Sequence, residues 1–279
     1  MTADSLPDVQ GAPDTRGIDI DEVGIGGLRY PVFFDDGVIE QSGVAEIEVV
    51  VGLPADRRGT HMSRMVQAVE SYLGRVNPYE LHTVFKAVAV LLDTSDLRIS
   101  LALPVPTRVE SPATQNSGYQ VHDLALYGRL IDDEFQLTST VTTDVTTLCP
   151  CSKAISDYGA HNQRSRVSLS THGENDSPYP VQMVDAVQLI RDASSCPVYP
   201  VVKRPDERAI TMAAYDNPKF VEDLIRDLTS SCRELAVPHD ITARNIESIH
   251  SHDAVARVSW AARGAEHVSR PTSLDVERS

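Results

Sequence analysis

Two cysteines and a histidine share one polar stretch, Thr147-Leu-Cys-Pro-Cys-Ser-Lys-Ala-Ile-Ser-Asp-Tyr-Gly-Ala-His161-Asn-Gln-Arg-Ser165. Pro150 biases Cys149 toward extended backbone, where residues two apart point the same way, so Cys149 and Cys151 are expected to face one pocket. His161 follows twelve positions after Cys149. Thiolate and imidazole together suit a borderline-soft cation, zinc first, with manganese or iron as alternatives, and two or three such ligands leave a position open for water. The same residues also suit a structural role, with the cysteines as small buried hydrophobes and His161 as a hydrogen-bonded core histidine.

A second candidate is Glu247-Ser-Ile-His-Ser-His252. His250 and His252 stand two apart in an expected strand, which puts both on one face. Glu247 is an odd number of residues from each and needs a bend or a strand end to join them. An isolated pair of this kind is otherwise a surface feature. Cations form the third candidate. Arg57, Arg58 and Arg64 flank an expected helix start at Thr60, where free backbone N–H groups and the helix dipole favour an anion, and Lys203 with Arg204 makes a second cluster. A solvated basic face is the alternative.

These residues need a scaffold, and the hydrophobic pattern supplies one. Gly43 to Val51 alternates in the manner of a strand. Thr60 is expected to cap a helix carrying Met62, Met65, Val66, Val69 and Leu73, and a second helix, 79–92, carries Leu81, Phe85, Val88 and Leu92. Strands are expected near 97–104, 119–131, 134–147 and 163–171, helices near 180–193 and 218–235, and closing strands near 240–248 and 252–261. The Met and Leu stripes read as core. Two tandem strand–helix–strand units give an α+β chain with antiparallel sheets and helices on one face. The units span 28–148 and 149–262, after a polar N-terminal segment 1–27 expected to be partly mobile and before a polar tail, 263–279.

Composition narrows the function classes. The chain has 279 residues, 41% of them hydrophobic, enough for one large core or two modest ones. A net charge of −15 disfavours nonspecific binding to nucleic acid or anionic membrane, so a phosphate-bearing substrate needs a local cationic cluster. No apolar run approaches membrane-spanning length. The acidic, polar start lacks the pattern of a signal peptide, and Cys196 and Cys232, remote from the Cys149/Cys151 pair, make no disulfide framework. A cytoplasmic enzyme with reduced thiols is the expectation.

The loop 147–165, with Arg58-Gly-Thr-His-Met-Ser-Arg64, Lys203-Arg-Pro-Asp-Glu207, Ala214-Tyr-Asp-Asn-Pro-Lys-Phe-Val-Glu-Asp223 and Glu247-Ser-Ile-His-Ser-His252, resembles the type IB GTP cyclohydrolases. Five motifs in order make chance agreement remote, and the resemblance runs from about Leu6 to Ala262. It implies tandem tunnelling-fold units, a homotetramer with active sites where subunits meet, and no nucleic-acid or membrane partner. The implied reaction is attack of water at C8 of GTP, loss of formate and reclosure to dihydroneopterin triphosphate. It also implies metal-site positions for Cys149, His161 and His250, catalytic ones for Glu247, His252 and Cys151, and contacts to a small heterocyclic nucleotide from Arg58, His61, Arg64, Lys203, Arg204 and position 212.

Two departures stand out. Where the family reads Ser-Cys-Glu this chain reads Ser195-Cys196-Pro197, and where it reads Thr-Glu this chain reads Thr211-Met212. The first glutamate lies at the family's metal site. The second pairs with the amide and amino edge of the base, and Met212 offers only a thioether. Three functions remain open: an ordinary GTP cyclohydrolase of pterin or folate synthesis, a divergent metal enzyme acting on another heterocycle in specialised metabolism, and a non-catalytic binding or assembly protein.

Overall fold

The computed structural model describes residues 9–261. The first half runs β1 (Ile20–Asp35), β2 (Glu40–Leu53), α1 (Met62–Tyr72), the two-residue β3 (Arg75–Val76), α2 (Leu81–Leu92), β4 (Asp96–Glu110) and β5 (Ser117–Ile131). The second half runs β6 (Glu134–Leu148), α3 (Pro150–Ile155), β7 (Asn162–Glu174), α4 (Met183–Ala193), the two-residue β8 (Cys196–Pro197), α5 (Arg204–Asp216), α6 (Val221–Glu234), β9 (His239–Ile246) and β10 (Ala254–Trp260).

Period-two patterning makes the sheet one-sided. β6 turns Phe135, Leu137, Val141 and Val145 inward and leaves Thr138, Thr140 and Thr142 on the other face. The helices bury their apolar stripes on the inward face. Met65 and Val69 of α1, Phe85 and Val88 of α2, Met183 and Ile190 of α4, and Leu224 and Leu228 of α6 all join one core with the strand residues. Approach is close enough that a Cβ at Gly128 of β5 would lie 2.2 Å from the Phe85 ring, so only glycine lets α2 settle there.

The sheet order is β10-β9-β7-β6-β5-β4-β2-β1-β3, with β8 against β6, and the long strands are antiparallel. Each half pairs four strands in chain order around its helices. The halves join at the Ile131↔Glu134 hairpin, whose two loop residues, Asp132 and Asp133, both take positive φ as a type I′ turn requires.

Register fixes which ends coincide. Val51 pairs with Leu97, Leu97 with Leu130 and Leu130 with Phe135, so the end of β2 is level with the start of β6. Cys149 follows the far end of β6. A 15-residue strand spans about 45 Å, so Cys149 and the loop after β2 lie at opposite ends of the sheet.

The strand–helix expectations hold in outline; α5 is an additional helix, and four expectations are corrected. β1 begins at Ile20, inside the segment expected to precede the first unit. α1 starts at Met62 with His61 at the N-cap position, so Thr60 lies one residue outside it. Cys149 is extended ahead of Pro150 as expected, but Pro150 opens α3, its fixed φ and missing N–H suiting the first helical position, so the extension does not continue through Cys151. The segment 247–253 is a bend between β9 and β10, so His250 and His252 are loop residues. The tail 263–279 lies outside the described residues.

Candidate active site at the upper end of the sheet

The end of β6, the start of β7 and the β9–β10 loop meet at one end of the sheet. Cys149 is extended and caps α3, its Sγ accepting from Ser152 N at 3.4 Å. Its backbone N–H donates to His161 O at 3.1 Å, because the two flank the β6–β7 connection. Ser152 Oγ accepts from His161 N at 3.2 Å and closes the turn. His161 is half-buried, and its Nδ1 lies 3.0 Å from Gln163 Oε1, which leaves Nε2 as the nitrogen able to face a ligand.

The loop histidines come to the same place. His250 stands edge-on to His161 with ring centroids 6.3 Å apart, and His252 stacks on His250 at 5.3 Å. Two imidazoles on one tetrahedral zinc put their centroids about 5 Å apart, given Zn–N bonds of about 2.0–2.1 Å. The His161–His250 spacing is about 1 Å longer than that, and His250 stands on the exposed 247–253 loop. As the side chains stand, no three His, Cys, Asp or Glu donors among the described residues are close enough to hold a metal. The donor chemistry of Cys149, His161 and His250 fits zinc.

Cys151 does not share this arrangement. It lies exposed on the first turn of α3, and the alternation that would have aimed it beside Cys149 is lost because the extended backbone ends at Cys149. Cys196 is packed against Leu148 and Ala214, and burial pushes its thiol up against the opposing effect of Arg191. Glu247 is half-buried one residue past β9, at the start of the loop that carries both histidines.

α5 forms one wall. Its Ala214 packs with Leu148, and Lys153 of α3 reaches it with Nζ donating to Tyr215 O at 2.5 Å and lying 4.3 Å from the Tyr215 ring centroid. Its start is fixed by Asp206, which accepts from Lys203 N (3.0 Å), Ala113 N (2.9 Å), Thr114 N (2.8 Å) and Thr114 Oγ1 (2.6 Å). Burial alone would raise the Asp206 carboxyl, but these hydrogen bonds hold it well below the usual carboxylate range. Asp206 is thus committed to holding α5 and is not a stand-in for a missing glutamate. Met212 is 46% exposed on this helix, and Lys203 and Arg204 open it. Pro197 sits opposite Val145 in β8, where its side chain supplies no ligand.

Arg58, His61 and Arg64 are elsewhere. They surround the start of α1 after β2, at the other end of the sheet, where Arg57 pairs with Asp93 at 2.9 Å. The chain does not bring this cluster to its own Cys149.

Residues not singled out in the sequence line the core behind the site. Thr147, Gln163, Ser165 and Asn245 are buried polar side chains on the inward face of β6, β7 and β9. Nearby, His122 bridges Thr143 Oγ1 at 2.7 Å and Thr107 Oγ1 at 2.8 Å, and burial, assisted by Arg191, pushes its pKa down to about 4. The signal that finds them is parity, since each is polar on a strand phase whose neighbours are apolar.

A family model described as type I GTP cyclohydrolase folE2 matches residues 6–256. GTP cyclohydrolase FolE2 1 of Dechloromonas aromatica is 40% identical over 262 residues, covering 91% of this chain and 95% of that protein. GTP cyclohydrolase FolE2 of Methylobacillus flagellatus is 37% identical, covering 92% and 98%. Among solved structures, a uricase from Arthrobacter globiformis superposes with a TM-score of 0.50 at 7% identity, covering 89% of this chain and 96% of that one, a likeness of fold alone.

Proposed function

Because the chain belongs to the type I GTP cyclohydrolase folE2 family, we propose that it opens the imidazole ring of GTP with water and releases formate, giving dihydroneopterin triphosphate for pterin or folate synthesis. The observation that carries this reading is the meeting of Cys149, His161, His250 and His252 at one end of the sheet, beside α5. Cys149, His161 and His250 would hold the metal, zinc first and manganese or iron as alternatives. When bound, it supplies Lewis acidity that lets water ionise near neutral pH.

The chain's own residues do the remaining work. His252, stacked on His250, takes a proton from the attacking water, and Glu247 on the same loop returns one to the opened ring nitrogen. Cys151 carries no step in this scheme, given its exposed position on α3. Lys203 and Arg204 offer charge at the start of α5, and Met212 borders the base.

The triphosphate is assigned to Arg58, His61 and Arg64 of a neighbouring subunit. The separation of about 45 Å along the sheet, too long for one nucleotide to bridge, supports sites shared between subunits. This agrees with tandem tunnelling-fold units assembled as a homotetramer, and a cytoplasmic enzyme fits the same reading.

Met212 favours a second reading in which a related heterocycle replaces guanine. Charge-assisted hydrogen bonds contribute about 1.5–3 kcal/mol each, and a thioether on an exposed helix position forms none of them. Incubating metal-loaded protein with GTP and assaying formate together with a fluorescent oxidised pterin separates the two. Stoichiometric formate supports the first reading, and its absence with metal bound supports the second.

A further inference from the structure

His161 is held from behind by an amide, and the hydroxyls behind that amide decide which ring nitrogen carries hydrogen. Ser165 Oγ has one hydrogen and donates it to Asn245 Oδ1 at 2.6 Å. Thr147 Oγ1, 2.9 Å from Ser165 Oγ, must then be the donor in that pair. Its hydrogen committed, Thr147 Oγ1 accepts from Gln163 Nε2 at 2.9 Å. Gln163 therefore turns its carbonyl oxygen, an acceptor only, toward His161 Nδ1 at 3.0 Å. That contact requires hydrogen on Nδ1, and in the neutral ring this leaves a bare lone pair on Nε2.

The relay is dry. Thr147 and Ser165 are 0% exposed, Asn245 2% and Gln163 7%, so solvent does not compete for these bonds. Its polarity is single-valued from end to end. Turning the Asn245 amide over would free the Ser165 hydrogen for Thr147 and let every bond reverse, setting the Gln163 NH2 against Nδ1 and hydrogen on Nε2, where it would block a metal. The relay also crosses three strands, from β7 through β6 back to β7 and on to β9, and ends two residues before Glu247.

We propose that Gln163 is the positioning residue of His161, locking the ring in its Nδ1–H form with Nε2 presented, and that Thr147, Ser165 and Asn245 set the direction in which Gln163 points. The consequence for metal binding rests on reading His161 as a ligand. The tautomer itself does not.

Long-range proton–nitrogen NMR of the metal-free protein in mildly alkaline buffer reads the tautomer directly, and competition with a chromogenic chelator reads zinc affinity. Wild type should show hydrogen on Nδ1. Gln163→Leu should give a mixture and bind zinc about 10–100-fold more weakly, the usual range for losing a hydrogen bond behind a metal ligand. Gln163→Glu, which keeps an acceptor against Nδ1 and can take the Thr147 hydrogen once the Asn245 amide turns over, should restore both. Hydrogen on Nε2 in the wild type overturns the proposal even if the leucine variant does not fold. So does a folded leucine variant with unchanged tautomer and affinity. A wild type that shows the Nδ1–H form yet binds no zinc supports the role of Gln163 and defeats the metal reading instead.

Discussion

If the triphosphate cluster and the metal cluster of one site come from different chains, two crippled subunits should repair each other. Arg58 and Arg64 lie beyond the end of β2 and Cys149 beyond the end of β6, separated by the length of a 15-residue strand, about 45 Å. Arg58→Ala with Arg64→Ala removes two charge-assisted phosphate contacts of about 1.5–3 kcal/mol each, so kcat/KM should fall by two to four orders of magnitude. Cys149→Ala should lose nearly all activity through the metal. When the two defective chains are co-expressed with different tags and the hybrid is purified on both, random pairing leaves about one quarter of the sites with an intact cluster from each chain. Formate release should return to about a quarter of the wild-type rate per site. A hybrid no more active than its better parent would refute the shared site and force the arginines into some other role.

Four further outcomes are expected. Cys149→Ala should lose most of its zinc by elemental analysis while keeping its circular dichroism spectrum, and retained zinc would remove Cys149 from the ligand set. Met212→Glu should tighten GTP binding about tenfold or more in calorimetry, one charge-assisted hydrogen bond being enough, and an unchanged Kd would mean the base does not reach α5 there. Asp206→Ala should lower the melting temperature and GTP turnover together, because α5 loses its tie to the 113–114 turn, whereas an unaltered melt would show the tie to be dispensable. His122, with a folded pKa of about 4 against an ordinary value of about 6.5, contributes stability that is present above the higher value and lost as pH falls toward the lower one. That loss should be about 3 kcal/mol in denaturant titrations, and His122→Gln should flatten it; equal slopes in both proteins would show that other groups carry the acid sensitivity.

Most of the scaffold was legible because strands and helices here obey their periods. β5 and β6 were expected at 119–131 and 134–147 and lie at Ser117–Ile131 and Glu134–Leu148. The hydrophobic pattern does not show α5, which buries only Asp206 and Ala214, too little for an apolar stripe. Its signal was Pro205 at the first turn followed by acids, a helix-start pattern without a hydrophobic face. The same proline logic covers Pro150, which does leave Cys149 extended but also starts α3, so Cys151 falls on a helix. The spacing of His250 and His252 suggests a strand face, but Glu247-Ser-Ile-His-Ser-His-Asp253 is rich in serine and poor in strand formers, and it bends. The residues of the site were nameable from resemblance. Thr147, Gln163, Ser165 and Asn245 were visible only as polar side chains on the inward phase, a clue that needs the strand register before it can be used.

α5 is fastened at both ends, by Asp206 at the first turn and by Lys153 and Tyr215 at the last, while Met212 between them faces outward. A helix so anchored acts as a fixed mount with one exchangeable fitting. Replacing the residue at 212 alters what the mount presents without shifting Cys149 or His161, whose positions depend on β6 and β7. On the proposed function, selectivity for the base would therefore be separable from the reactive centre, and a lineage could change its substrate by one codon and keep its chemistry. A saturation library at this position should retain near-constant zinc content while its preference among purine and pterin-like rings varies widely.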